Sequence, residues 1–170
     1  MPDDFVFEPV EMVRILVAHE VEFVLIGGYA AVLYGSAMFT TDADICPDPS
    51  LDNLARLAAA LREMDARIRT DAEPEGLPFV CDEHFLSQMK MVNLMTRYGA
   101  FDISFAPAAS NGYEDLIRGA VDYDLDGVPV RLAALGDIIR SKSAANRPKD
   151  QQALPHLYAL QDEVEKRRQD

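Results

Sequence analysis

A chain of 170 residues, 49% hydrophobic and 26% charged, has the balance of a globular protein and the length of one domain, with a core that needs no disulfide staple. Its net charge of -13 opposes loose attraction to nucleic acid or anionic lipid. The charge is uneven: residues 131–170 carry 8 Lys and Arg against 6 Asp and Glu, and residues 1–130 carry 8 against 23, so a polyanion would meet the C-terminal part first.

Cys46 and Cys81 form no CxxC pair or framework, which fits a reducing compartment and two small buried apolar residues. The longest apolar run, Val21 to Leu33, is broken by Glu22 and a Gly pair and falls far short of the ~20 residues of a membrane span. The start, Met-Pro-Asp-Asp, lacks the cationic region of a signal peptide. A cytoplasmic location is expected, with neither membrane nor DNA as a partner.

In chain order, Met12, Ile15, Leu16 and His19 recur at helical spacing and predict a helix over Glu11 to His19. A strand follows at Glu22 to Ile26. Gly27 and Gly28 break it and open a helix to Tyr34, with Gly35 as its cap. Asp42 to Cys46 predicts a second strand, and Ser50 an N-cap for a helix over Leu51 to Met64 with an apolar face of Leu54, Leu57, Ala58 and Leu61. A strand at Ala66 to Thr70 and a surface loop at Asp71 to Pro78 come next. Met89 to Thr96 and Ala100 to Phe105 predict a hairpin turning at Tyr98 and Gly99. Tyr113 to Gly119 predicts a short helix, and Asp126–Gly127 the turn of a second hairpin between Val121 to Tyr123 and Val128 to Arg131. Helices at Leu135 to Ala145 and Asp150 to Arg167, divided by Asn146, Arg147 and Pro148, close the chain. The expectation is a single α+β domain over residues 1–170, a small mixed sheet flanked by helices, with 131–170 as its C-terminal helical part.

Chemistry begins at Asp42, Ala43, Asp44. On a strand, residues i and i+2 share a face about 6.5 to 7 Å apart, so both carboxylates look into one space while Ala43 and Ile45 face the core. Two acids so placed repel unless a divalent cation joins them. The pattern alone says little in so acidic a chain: it recurs at Glu20/Glu22, Glu63/Asp65 and Asp122/Asp124, where a solvated face is the ordinary explanation. Three neighbours add weight. Gly27 and Gly28 let backbone N–H groups approach a phosphate. Asp102 sits opposite the apolar face of Phe101, Ile103 and Phe105, so a third carboxylate can join the pair. The run Lys142 to Asp150 offers a cation for a triphosphate and an acid to orient it.

The order of a Gly pair, DxD on a strand, a later strand Asp, then Lys followed by RPKD resembles the nucleotidyltransferase fold of the DNA polymerase β-like superfamily. More narrowly, from about Val10 to Leu157 the chain is similar to the AbiEii-type toxins, including the MenT group of toxin–antitoxin systems. The resemblance implies transfer of a nucleoside monophosphate from an NTP to an acceptor hydroxyl with Mg²⁺ or Mn²⁺. Asp42, Asp44 and Asp102 would hold metal, and Asp102 would activate the acceptor. Gly27 and Gly28 would lie beneath the triphosphate, and Lys142 and Asp150 would match the downstream Lys and Asp. Thr40 matches a nucleotide-site hydroxyl whose phosphorylation silences related toxins. The implied partners are an NTP, the 3′ end of tRNA and a cognate antitoxin, with Arg140, Lys142, Arg147, Lys149, Arg167 and Arg168 available to RNA phosphates.

The chain departs from the family pattern R-x-T-x-D at Met38, which stands where Arg belongs; Arg67, Arg69, Arg140 and Arg147 are the candidate replacements. Two alternatives stay open, a small-molecule (aminoglycoside-like) or protein nucleotidyltransferase and a catalytically inactive binding module of the same fold. His19, His84 and His156 have no zinc spacing.

Overall fold

A mixed sheet of seven strands runs through the computed structural model, which describes residues 5–170. The Met-Pro-Asp-Asp start lies outside the described residues. The elements in order are α1 (Pro9–Ala18), β1 (Phe23–Ile26), α2 (Gly27–Tyr34), β2 (Asp42–Pro47), α3 (Leu51–Glu63), β3 (Arg67–Ile68), α4 (Glu83–Ser87), β4 (Met91–Thr96), β5 (Gly99–Ser104), α5 (Tyr113–Gly119), β6 (Val121–Leu125), β7 (Val128–Leu132), α6 (Leu135–Ala145) and α7 (Pro148–Gln169). The spatial order of strands is β3-β4-β5-β2-β1-β7-β6.

Within this sheet β2 pairs antiparallel with β1 and parallel with β5, and β7 closes the other side parallel to β1. The remaining neighbours are antiparallel, β4–β5 and β6–β7 as hairpins and β3–β4 across the segment that contains α4. The expected α+β architecture is therefore present, with both hairpins near their predicted places. Alternation on the strands follows from burial of one face: Phe101, Ile103, Val92, Leu94, Ala43 and Ile45 are buried, whereas Asp42, Asp44, Ala100 and Asp102 are only partly covered.

Helix α3 shows how the sequence builds the core side. Ser50 accepts a hydrogen bond from Asn53 N–H as N-cap, and Leu54, Leu57, Ala58 and Leu61 are buried at helical spacing. Asn53, itself fully buried, accepts from the Glu22 N–H at 2.8 Å and donates to the Glu22 and Asp48 carbonyls at 2.9 and 2.7 Å. That one side chain fastens the entrance of β1 and the exit of β2 to α3.

The sequence reading differs in four places. Helix α1 begins at Pro9, whose fixed φ suits a first helical turn. Strand β3 is two residues long, not five, and pairing with β4 ends after the Arg69 N–H bond to the Asn93 carbonyl. Helix α4 was not expected; Asp82 caps its start by accepting from Phe85 N–H at 2.8 Å. Helix α7 starts at Pro148 and continues through Pro155 to Gln169.

Candidate active site

The parallel ladder of β2 and β5 sets Asp44 directly beside Asp102 and Asp42 beside Ala100. Because side chains alternate, this register turns all three carboxylates to the same face. One carboxylate oxygen from each of Asp42, Asp44 and Asp102 lies within 4.8 Å of the others. Asp44 and Asp102, 58 positions apart, are thus joined by strand pairing, not by sequence proximity.

Gly27 begins α2 at the end of β1, beside this cluster. It has φ +72°, and a Cβ built there would come within 2.4 Å of Asp44 Oδ2. A side chain at this position would occupy the space of the carboxylate, so the Gly pair serves the DxD strand as well as the turn. A Cβ on Gly28 would meet Thr40 Oγ1 at 3.2 Å. The Thr40 hydroxyl donates to the Asp42 carbonyl at 3.1 Å and lies 3.4 Å from Asp42 Oδ1.

On the C-terminal side, Asp150 is fully buried in the first turn of α7. It accepts from Arg147 Nε at 2.7 Å, Arg147 Nη2 at 3.2 Å and the Arg147 N–H at 3.1 Å, and Lys142 Nζ stands 3.6 Å away. Burial works against its charge, but the Arg147 hydrogen bonds and the Lys142 charge outweigh it and hold the carboxyl below its ordinary range. Asp150 therefore holds two cations, Arg147 and Lys142, in place.

The electrostatics of the cluster are those of crowded acids. Burial, then the charges of Asp42 and Asp102, push Asp44 up to about 8, against the opposing pull of Lys149 and Lys142. Asp102 is pushed up to about 7 by burial and by its hydrogen bond with Asp42, while Arg69 pulls the other way. The Arg147 guanidinium is held further above its usual range by its hydrogen bond to Asp150 and by the charges of Asp44 and Asp42. Lys142, Arg147 and Lys149 thus share one electrostatic field with the acids.

The convergent carboxylate oxygens form an all-oxygen donor set that could hold a hard divalent cation such as Mg²⁺ or Mn²⁺. The space left open by Gly27 accommodates the Asp44 carboxylate.

Of the residues singled out in the sequence, Asp42, Asp44, Asp102, Gly27, Gly28 and Thr40 lie together, and Lys142 and Asp150 lie beside each other where α6 meets α7. Of the four arginines considered for the place of Met38, Arg67 lies exposed on β3 and Arg140 pairs with Asp137. Arg69 pairs with Asp102, and Arg147 pairs with Asp150 while feeling the charges of Asp44 and Asp42. Met38 itself packs against the core. The Arg69–Asp102 ion pair has no local sequence signal, since β3 meets β5 only through β4.

No protein-family model matches the sequence, and no curated protein matches it. Solved structures do match in three dimensions. The lincosamide antibiotic adenylyltransferase LnuA, with lincomycin bound, superposes with a TM-score of 0.61 at 15% identity, over 91% of this chain and 98% of that one. ANT(2")-Ia in complex with adenylyl-2"-tobramycin gives 0.54 at 14% identity, over 94% and 98%. A Thermotoga maritima protein classed as a nucleotidyltransferase gives 0.53 at 13% identity, over 85% and 86%. The chain has the nucleotidyltransferase fold.

Proposed function

We propose that this protein is a metal-dependent nucleotidyltransferase that moves a nucleoside monophosphate from an NTP to an acceptor hydroxyl and releases pyrophosphate. The observation that carries the reading is the convergence of Asp42, Asp44 and Asp102 within 4.8 Å on a nucleotidyltransferase fold, facing cations at the start of α7. A Mg²⁺ or Mn²⁺ ion on these oxygens would offset phosphate charge and lower the pKa of the attacking hydroxyl. Asp102 takes the acceptor proton while the new bond forms at the α-phosphorus and the bond to the β-phosphate oxygen breaks. Lys142, Lys149 and Arg147 bind the triphosphate and balance the departing pyrophosphate. Gly27 and Gly28 let the backbone approach the phosphates, and Thr40 fixes Asp42.

The acceptor we assign is the 3′ end of tRNA, in a toxin of a toxin–antitoxin system, on the strength of the sequence resemblance and of exposed Arg140, Arg147 and Lys149 where α6 meets α7. The likeness to LnuA and ANT(2")-Ia over nearly their full lengths favours a second reading, a small hydroxylated acceptor. Incubation with each labelled NTP, Mg²⁺ and either total tRNA or an aminoglycoside or lincosamide separates the two. Label on tRNA is expected; label only on the drug replaces that acceptor. No transfer to any acceptor, with no NTP-dependent thermal shift, would leave an inactive binding module. Asp42→Ala and Lys142→Ala should each abolish transfer and any growth arrest caused by expression without an antitoxin.

A further inference from the structure

The carboxylate cluster already contains one positive partner. Arg69 Nη2 donates to Asp102 Oδ1 at 2.6 Å, and its Nε lies 3.4 Å from the Leu94 carbonyl. The Arg69 N–H donates to the Asn93 carbonyl at 2.9 Å, which fixes its backbone against the next strand. Asn93 lies opposite Asp102 in the β4–β5 ladder, and Asp102 lies opposite Asp44. The guanidinium therefore reaches across β4 from the β3 side of the sheet, whereas Lys142, Arg147 and Lys149 come from α6, the α7 N-cap and α7.

The two sets of cations differ in what they hold. Asp150 secures Arg147 and Lys142, which leaves them beside the acids without an ion pair to any of the three. Among the described residues, Arg69 makes the one ion pair with Asp42, Asp44 or Asp102. It grips a single oxygen of Asp102, and its side chain is 29% exposed against 15% for the acid. Such a contact is tight enough to order the carboxylate and open enough to give way.

We propose that Arg69 is the resident counter-cation of the site: it orders Asp102 before a divalent ion binds, and the ion then enters against its charge, so Arg69 sets the metal affinity of the protein. The inference rests on the metal-dependent reading above and adds the residue that tunes it. A unit positive charge about 6 Å from a divalent ion lowers affinity roughly tenfold even at a water-like dielectric. An affinity kept modest in this way suits a metal that arrives with the nucleotide, whose phosphates then help to hold it.

Mn²⁺ alone is the probe, followed by the electron paramagnetic resonance of the free ion and by thermal shift. Arg69→Gln should bind Mn²⁺ about tenfold more tightly than the wild type. It should melt lower without metal and regain the wild-type melting temperature at saturating Mn²⁺. Arg69→Lys, which keeps the charge, should bind within about twofold of the wild type. A merely structural arginine would lower the melting temperature equally with and without Mn²⁺ and would not tighten binding. Unchanged or weaker Mn²⁺ binding by Arg69→Gln overturns the inference, and should that variant not fold, tightened binding by Arg69→Lys overturns it equally. Absence of Mn²⁺ binding by the wild type, indistinguishable from Asp42→Asn, would instead overturn the metal-dependent reading itself.

Discussion

Alanine at position 27 tests the site through its backbone. Gly27 holds φ at +72°, where an L side chain costs about 1–2 kcal/mol. Its Cβ would also stand 2.4 Å from Asp44 Oδ2. That is about 1 Å inside ordinary contact, so the carboxylate has to yield. The combined cost should be about 2 kcal/mol, or about 4–8 °C in melting temperature for a chain of this length. Displacing a metal-holding oxygen by about 1 Å should cost on the order of a hundredfold in transfer rate, with a parallel loss of Mn²⁺ affinity. Differential scanning fluorimetry with and without Mn²⁺ reads both effects. Gly28→Ala is the comparator: its backbone is not left-handed, its new methyl meets only Thr40 Oγ1 at 3.2 Å, and its stability should change by less than about 1 kcal/mol. A Gly27→Ala protein with the wild-type melting temperature and Mn²⁺ response would refute the packing argument for the Gly pair.

Three further outcomes follow from the same geometry. Native Asp44 near 8 and Asp102 near 7 both lie above the ordinary 3.8, so the native state retains protons that the unfolded chain has released. The associated stability is fully present below about pH 4 and is lost as pH rises through the two native values. The metal-free melting temperature should therefore fall between about pH 5 and about pH 9; Asp44→Asn should flatten that fall and remove the Mn²⁺ response, and a full response in this variant would count against Asp44 as a ligand. Asp150→Ala removes the anchor of Arg147 and Lys142 and should cost about 2 kcal/mol, with NTP affinity falling by more than Mn²⁺ affinity. Equal losses of both would argue that Asp150 only holds the helix together. Asn53→Ala leaves three backbone groups, the Glu22 N–H and the Glu22 and Asp48 carbonyls, without these bonds and should cost about 2 kcal/mol while Mn²⁺ affinity stays unchanged in the folded protein, as isothermal titration would show.

What the sequence made legible was local. Period-2 alternation over residues 100–105 put Asp102 on the polar face, and the Asp126–Gly127 turn and the Ser50 cap marked element ends, because each depends on contacts within a few residues. The approach of Asp102 to Asp44 required the register of two parallel strands, which no local pattern encodes; the family resemblance supplied that expectation. Helix α4 escaped notice because five residues carry too little periodicity, although Asp82 at its N-cap was a usable sign. Arg69 could be named as one of four arginines but not chosen, since its role depends on β3 lying two strands from β5. Met38 stands where the family pattern that the sequence resembles has an arginine, and in three dimensions it packs against the core.

The parallel pairing of β2 with β5 also has a consequence for synthesis. A ribosome-bound chain that has emerged only through Thr70 displays Asp42 and Asp44 with no third acid beside them, because α4, β4 and β5 have still to be made. The Lys142–Asp150 clasp emerges later again, after both hairpins. The three carboxylates therefore cannot be brought together until β5 has left the exit tunnel, and on the proposed function a translation product truncated before β5 would lack transferase activity.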